Sequence, residues 1–201
     1  MDAASSRALW REFGRIVRQV HAQRGERFGY PAPCPASSSF GAWFVGVVDD
    51  LAADLAEQHV EVAGLERFRE LLDDERQRFD SVTAPRLVHG DLWLRNVLVE
   101  QGPDGWRITA LLDAKRAFFG DPAAEWIFGF LDIPRAFWDG YGRCLAGDDL
   151  DRDAAWRRLA YQARGALCMM LEGVRFGFDA GFAHRHFARF LAALEPASAI
   201  T

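Results

Sequence analysis

Two short segments near the middle of the chain constrain its fold most, because each joins an apolar run to a polar side chain. Residues 87–99 contain Asp91 and Asn96 among apolar residues, and residues 111–113 end in Asp113. Apolar runs of this length are typical of buried strands. Polar groups leave the core at strand ends, so we expect Asp91, Asn96 and Asp113 to lie where a ligand can reach them.

The residues that follow Asn96 predict a β-hairpin. Residues 97–100 and 106–112 are apolar-rich strand candidates, and Gly-Pro-Asp-Gly at 102–105 is a strong turn signal between them. We therefore expect two antiparallel strands joined by a short turn.

The expected pairing brings two of the polar residues close together. If Gln101 pairs with Trp106, then Asn96 lies opposite Leu111 and diagonal to Asp113, at about 7 Å between backbones. A one-residue bulge would shorten that distance.

An amide oxygen and a carboxylate at such a separation can share one divalent cation. Phosphate oxygens and water usually complete the shell of Mg²⁺ in sites of this kind. Asp91 precedes Asn96 on the same loop and reaches the same small volume. Together the three residues suggest phosphoryl transfer, which depends on positioning and charge neutralisation. Turn and cap chemistry is the competing interpretation of Asp91, Asn96 and Asp113.

The order of these residues resembles a known family. His89-Gly90-Asp91, a gap of four residues, Asn96, then Asp113 and the later Gly-Asp-Pro at 120–122 resemble the aminoglycoside phosphotransferase and choline kinase family. Its members are small-molecule relatives of the protein kinases. The sequence at 89–93 is also similar to that of fructosamine kinases, so the subfamily stays open.

The resemblance implies roles for the three central residues. Asp91 would orient or deprotonate the substrate hydroxyl, and Asn96 and Asp113 would hold Mg²⁺ against the phosphates of ATP. The implied partners are ATP as co-substrate and a small molecule that carries a hydroxyl group.

Three further residues of the same loops are assigned to the cofactor side of the site. His89 is expected mainly to shape the loop, while Arg95 either steers a phosphate or forms a surface salt bridge. Lys115, which with Arg116 follows Asp113, is expected to pair with phosphate or with Asp91.

Substrate residues are assigned by position only, from the resemblance. Glu125 and Trp126 are the first candidates. Further candidates are Asp132, Trp138, Asp139 and Glu172. Convergent carboxylates would favour an aminoglycoside, and an aromatic box would favour a choline-like ammonium. Trp126 and Trp138 are equally well explained as core residues.

Helical periodicity covers most of the remaining chain. Predicted helices run from Ser5 or Ser6 to Gly25, through 43–55 after a cap at 37–39, over 62–79, 123–131 and 135–145, through 159–178, and through 187–194. A buried stripe on the long helix is expected to include Val174 and Phe178. Asp121, followed by Pro122, is interpreted as the N-cap of the helix over 123–131 rather than as a catalytic group.

These elements predict an α+β fold that is predominantly helical and has one small antiparallel hairpin. We expect a single domain over residues 1–201, with helices over 5–80, the catalytic loop and metal hairpin over 86–122, and C-terminal helices over 123–195. The arrangement resembles the C-terminal lobe of the protein-kinase-like fold.

The resemblance also implies an N-terminal ATP-binding lobe, and the sequence carries no sign of one. No glycine-rich loop precedes the first helix, and the single lysine, Lys115, follows Asp113 too closely to act from another lobe. Three explanations stay open: a piece of a longer kinase, a lobe supplied by another chain, or a remnant without catalysis. A non-catalytic binding or scaffold domain is therefore the rival function.

Composition excludes several other classes. A net charge of −5 gives no support for nucleic-acid binding, and no apolar run approaches the length of a membrane span. The cysteines Cys34, Cys144 and Cys168 are odd in number and far apart, which favours reduced thiols over disulfides or a zinc site. With a polar N-terminus in place of a secretory signal, the cytoplasm is the expected location.

Overall fold

The chain folds as two units, each built from two separated stretches of sequence. The site unit comprises Met1–Ser38 and Val82–Leu150, and the helical unit comprises Ser39–Ser81 and Asp151–Thr201. The computed structural model describes residues 2–31, 36–103, 105–126, 132–145 and 150–195.

Helix α1 (Ala3–Ala22) opens the site unit and begins earlier than its periodicity predicts. The carboxylate of Asp2 accepts hydrogen bonds from the backbone N–H groups of Ala4 and Ser5, both at 2.9 Å. An aspartate is a strong N-cap because it satisfies N–H groups that have no partner inside the helix. The predicted start at Ser5 or Ser6 was therefore wrong by a few residues.

Four short strands form an antiparallel sheet that the sequence analysis did not predict. They are β1 (Phe28–Gly29), β2 (Ala36–Ser37), β3 (Arg86–Val88) and β6 (Phe118–Gly120), in the order β2-β1-β6-β3. Strands of two or three residues are too short to show an alternating pattern. Their pairing nevertheless positions the site, because residues 89–91 continue directly from β3.

The predicted hairpin is present as β4 (Val97–Gly102) and β5 (Gly105–Leu111). Gln101 pairs with Trp106, as the turn signal predicts, and the register shifts between Leu98 and Val99. This β-bulge shifts the pairs on the side away from the turn by one residue, so that Val97 lies opposite Leu111.

The core of the site unit forms where α1 packs against α5 (Arg135–Tyr141). Phe13 and Phe137 meet edge to face with their ring centroids 5.5 Å apart. The helices approach closely because glycines face each backbone: a Cβ on Gly140 would lie 1.9 Å from the carbonyl oxygen of Arg11. The buried cluster comprises Phe13, Val17, Leu92, Phe137, Tyr141 and Leu145.

The segment behind the hairpin differs from the predicted helices. Pro122–Ala124 forms a short 3-10 turn, which Asp121 caps by accepting a hydrogen bond from Ala123 N–H at 3.0 Å. The rest of the predicted helix over 123–131 falls largely on residues 127–131, which lie outside the described residues. Helix α5 ends at Tyr141, before 145, because Gly142 adopts a left-handed conformation that terminates helices.

The helical unit contains five helices among the described residues. They are α2 (Phe40–Glu57), α3 (Leu65–Asp74), α4 (Arg76–Asp80), α6 (Arg152–Phe176) and α7 (Gly181–Leu194). Ser39 caps α2 as predicted, and Asp151 caps α6. The single helix predicted over 62–79 was wrong, since the chain breaks at Glu75.

The far end of α6 also departs from its predicted pattern. Val174 and Phe178 are 50% and 39% exposed, so they do not continue the buried stripe. Helix α6 ends at Phe176, because the next residue, Gly177, has a left-handed conformation that terminates helices.

The predominantly helical α+β class is confirmed, with two small antiparallel sheets. Among the described residues, no helix combines the length and the apolarity that crossing a membrane requires. Among the described residues, neither Cys144 nor Cys168 forms a disulfide, whereas Cys34 lies outside them.

The close packing of α1 and α5 gives the first prediction. Gly140→Ala should lower the free energy of unfolding by about 1–3 kcal/mol, because the added methyl group overlaps the backbone of α1. Gly46→Ala is the matched control, since no atom lies within 4 Å of a Cβ there. Because Gly46 lies inside helix α2, Gly46→Ala should raise the free energy of unfolding by about 0.5–1 kcal/mol. Chemical denaturation measures both, and equal effects would contradict the packing argument.

Candidate functional site

The loop that follows β3 requires a glycine at its turn. Gly90 has a φ of +77°, and a Cβ there would lie 2.3 Å from the backbone oxygen of Arg116. A side chain at this position is therefore excluded by both conformation and space. Leu92 anchors the other side of the turn with only 1% of its surface exposed. Asp91 lies between these two fixed residues.

A buried carboxylate holds the loop from behind. The two oxygens of Glu125 accept hydrogen bonds from the backbone N–H groups of His89 at 2.8 Å and Gly90 at 3.0 Å. Glu125 is only 2% exposed and also accepts from the N–H of Trp126 at 3.1 Å. Charge-assisted bonds of this kind are stronger than neutral ones, so Glu125 fixes the loop conformation.

His21 of α1 is the side-chain hydrogen-bond partner of Glu125. Its Nε2 lies 3.3 Å from Glu125 Oε2, and its Nδ1 lies 2.8 Å from the hydroxyl of Tyr141. An ionised carboxylate can only accept, so Nε2 carries the proton that is donated to Glu125. Sequence analysis missed both His21 and Tyr141. The signal was the position of His21, four residues after Val17 on the buried stripe of α1.

The surroundings of Glu125 keep it ionised. Burial by itself would raise the pKa of the Glu125 carboxyl, but the hydrogen bond and charge of His21 and the N–H of His89 bring that pKa below its ordinary value. Its contribution to stability is present above the ordinary value of 4.5 and is lost as the pH falls through the lowered pKa.

Asn96 links the loop to the hairpin. Its Nδ2 donates to the backbone oxygen of Asp91 at 2.8 Å, and its own backbone oxygen accepts from Leu112 N–H at 2.8 Å. The predicted pairing of Asn96 with Leu111 was therefore wrong by one residue. The β-bulge is the cause: β5 has one extra residue, Thr109, between the partners of Leu98 and Val99, and this brings Asn96 opposite the residue that precedes Asp113.

Asp113 occupies an unusual backbone conformation. Its φ of +63° and ψ of +51° are left-handed, which is uncommon outside glycine and is found where structure or function requires it. Its carboxylate remains 42% exposed and pairs with Lys115 Nζ at 3.2 Å. The residue is therefore accessible to a ligand, with a protein cation on one side.

Asp91 and Asp113 influence each other electrostatically. Partial burial raises the pKa of the Asp91 carboxyl, and the negative charge of Asp113 raises it further. Arg116 and Lys115 act in the opposite direction. The predicted gathering of Asp91, Asn96 and Asp113 is thus supported by their contacts and charges.

The donor atoms suit a hard divalent cation. Since the nitrogen of Asn96 is committed to Asp91, its oxygen Oδ1 is the atom suited to a metal, together with the carboxylate of Asp113. Among the described residues, no group of three or more His, Cys, Asp or Glu side chains is placed to hold a metal. Two oxygen ligands fit Mg²⁺, which keeps water and phosphate oxygens in its shell.

His89 and Arg95 have local contacts. The N–H of Asp91 points at His89 Nδ1 at 3.4 Å, while His89 Nε2 is buried without a hydrogen-bond partner among the described residues. Arg95 stacks over the ring of Trp93 at 5.4 Å. Their contact with a cofactor stays a prediction.

The proposed substrate residues are dispersed. Glu125 is enclosed and bonded to the loop, so its place on the substrate side was wrong: its carboxylate has no exposed surface. Trp138 packs on the buried cluster, and Asp139 pairs with Arg135 at 3.8 Å. The others have separate positions: half-buried Trp126, exposed Asp132, and Glu172 in the helical unit.

Comparison with known proteins gives a family match. The model of the phosphotransferase enzyme family matches residues 1–162. No curated protein sequence matches significantly. The match confirms the resemblance that the motif order indicates.

Solved structures share the fold. A protein assigned as a fructosamine-3-kinase from Haemophilus somnus 129PT has a TM-score of 0.68 and 16% identity over 92% of this chain and 64% of its own. A protein with the same assignment from Thermobifida fusca YX-ER1 has a TM-score of 0.66 and 20% identity, over 93% of this chain and 66% of its own. A thermostable mutant of aminoglycoside phosphotransferase APH(4)-Ia has a TM-score of 0.61 and 21% identity, over 92% of this chain and 65% of its own. The chain thus spans slightly under two thirds of these proteins.

The buried carboxylate gives the second prediction. Glu125→Gln should lower the free energy of unfolding by about 1–3 kcal/mol, because the amide replaces one of two buried acceptor oxygens with an N–H donor and leaves a hydrogen bond unmade. The difference from wild type should shrink as the pH falls from 4.5 through the lowered pKa of Glu125. The control is Glu100→Gln, an exposed residue bonded to Arg107 at 2.8 Å, with an effect within about 0.5 kcal/mol. Equal losses in the two variants would contradict the anchoring role.

Proposed function

The chain belongs to the phosphotransferase enzyme family, and we propose that it transfers the γ-phosphoryl group of ATP to a hydroxyl of a small molecule. One observation carries the proposal. Its support is the hydrogen bond from Asn96 to the backbone oxygen of Asp91, together with the effect of the Asp113 charge on the carboxyl of Asp91. Phosphoryl transfer needs little covalent chemistry from the protein, so positioned acids and amides are sufficient machinery.

Asp91 acts on the acceptor hydroxyl. Its carboxylate accepts the proton of the substrate O–H, while the substrate oxygen bonds to the γ-phosphorus and the bond to ADP breaks. A pKa raised above the ordinary value of an aspartate makes Asp91 a better proton acceptor, provided that the pH keeps it ionised. The hydrogen bond from Asn96 Nδ2 to the backbone of Asp91 limits movement of this residue.

Asn96 and Asp113 hold the divalent cation through Oδ1 and a carboxylate oxygen. The ion, when bound, neutralises charge on the phosphates of ATP. Lys115 pairs with Asp113 at 3.2 Å and must move aside or share the carboxylate. Arg95 and Lys115 then supply positive charge toward the phosphates, and His89 supports the loop.

The acceptor is proposed to be an amino sugar, a sugar or an amino alcohol. Support comes from the loop sequence at 89–93 and from structural neighbours described as fructosamine-3-kinases and an aminoglycoside phosphotransferase. Trp126 and Asp132 are the candidate substrate contacts that remain in the site unit.

A non-catalytic kinase-like binding domain is the second candidate. The ion pair of Lys115 with Asp113 favours it, because a protein cation then occupies part of the place that a metal would need. The two candidates differ in whether Asp113 binds a divalent ion.

The third prediction tests metal binding directly. Paramagnetic Mn²⁺, added with and without ATP, should broaden the amide NMR signals of residues 96 and 113 in the wild-type chain. Asp113→Asn should remove most of this broadening, since the amide lacks the charge that binds the ion. Asp139→Asn, on α5, is the control and should leave it unchanged. Persistent broadening in Asp113→Asn would contradict the metal assignment, and no broadening in the wild type would favour the non-catalytic domain.

The fourth prediction concerns the chemical step. Asp91→Asn should lower kcat by about 10²–10⁴-fold and leave the Kd of Mg-ATP nearly unchanged, because only proton transfer and hydroxyl orientation are lost. The wild-type rate should rise with pH as Asp91 ionises, with its midpoint above the ordinary pKa of 3.8. Exposed Asp73 in α3 provides the control variant Asp73→Asn. A kcat close to wild type in Asp91→Asn would reject the catalytic role.

A further inference from the structure

A second cavity of the site unit lies apart from Asp91, Asn96 and Asp113. It measures about 530 Å³ and is bordered by the last turn of α1, residues 82–86 and the end of α5. None of the three catalytic candidates lines it. Its volume falls within the range of about 300–1,000 Å³ that is typical of small-molecule pockets.

Three arginines from distant parts of the sequence converge on this cavity. Arg18 comes from α1, Arg86 from β3 and Arg143 from the segment after α5. Among the described residues, no aspartate or glutamate lines it. A chain with a net charge of −5 thus concentrates positive charge at one concave surface. Such concentration attracts anions because the cavity walls focus the field.

Two of the three arginines are held at the cavity wall by hydrogen bonds. Arg86 Nη1 donates to the backbone oxygen of Ala22 at 2.9 Å, which satisfies the end of α1. Arg143 forms a hydrogen bond with the hydroxyl of Tyr141. A guanidinium has five N–H donors, so one such contact leaves donors for a ligand. Capping of α1 accounts for Arg86 alone and does not explain the approach of Arg18 and Arg143.

Two buried polar groups complete the wall. His21 and Tyr141 both line the cavity, with 5% and 4% of their surfaces exposed. The buried carboxylates of Glu125 and Asp121 act on Tyr141 electrostatically but are not among the lining residues. Glu125 already accepts hydrogen bonds from His21 and from the loop, and these stabilise its negative charge.

We propose that this cavity binds a small phosphorylated molecule through Arg18, Arg86 and Arg143. Guanidinium groups match phosphate oxygens in geometry and charge and hold them by paired hydrogen bonds. The volume exceeds what a single phosphate group needs, so the remainder accommodates the organic part of a phosphate ester. Because His21 lines the cavity and bonds to Glu125, a single side chain separates the ligand from the residue that anchors the catalytic loop.

Direct binding tests the proposal without any need for turnover. The full chain is titrated calorimetrically with ribose 5-phosphate and, separately, with inorganic phosphate, in EDTA and at constant ionic strength set by chloride. EDTA removes divalent ions, so the site at Asp113 does not contribute. We expect saturable binding of ribose 5-phosphate and a change in the ring-nitrogen NMR signals of His21.

Variants locate the binding. Arg18→Gln and Arg143→Gln should each weaken the affinity at least tenfold. Arg15→Gln is the matched control, since this exposed arginine lies on α1 one turn earlier and pairs with Glu12 at 3.8 Å. It should change the affinity less than twofold. Circular dichroism confirms folding of each variant.

The outcomes separate the possible ligands. Tighter binding of ribose 5-phosphate than of inorganic phosphate supports a site for a phosphate ester. If both bind equally and Arg18→Gln abolishes the binding, the site recognises the phosphate group alone. Binding of neither probe, or binding that is equal in all four proteins, would overturn the proposal. Since no step depends on ATP or Mg²⁺, these results are independent of the phosphotransferase assignment.

Discussion

The candidate site depends on a buried carboxylate that joins elements distant in sequence. Glu125 accepts two backbone hydrogen bonds from the loop at His89 and Gly90, and it pairs with His21 of α1. A buried charge is costly unless it is paired and hydrogen-bonded, and here both conditions are met. Because the same carboxylate bonds to the imidazole and to the loop, its displacement would remove hydrogen bonds from both. The conformation of Asp91 follows from this arrangement.

A second constraint comes from the hairpin. The bulge between Leu98 and Val99 changes the pairing by one residue, so that the backbone of Asn96 bonds to Leu112. A regular ladder would have left Asn96 one position further from Asp113. The left-handed backbone of Asp113 then sets the direction of the chain as β5 ends. Strain at such a position is characteristic of functional sites, where the surrounding structure maintains it.

His21 connects the two sites proposed for this chain. One ring nitrogen faces Glu125 and thus the catalytic loop, while the other faces Tyr141, whose hydroxyl also bonds to Arg143 of the arginine-lined cavity. A ligand that alters the charge around Tyr141 therefore acts two hydrogen bonds away from Glu125, which anchors the loop. Energetic coupling through such short polar chains is physically reasonable when each member has a defined partner.

The sequence by itself determined the features that depend on neighbouring residues. The order of Asp91, Asn96 and Asp113 is read directly from the sequence. The hairpin turn and the cap at Ser39 depend on contacts within a few positions, so local patterns reveal them. Tertiary structure alone decided the bulge, the sheet that joins β3 to β6, and the burial of Glu125 beside His21, 104 residues away in sequence. No local pattern encodes these, because their free energy arises only when distant segments exclude water together.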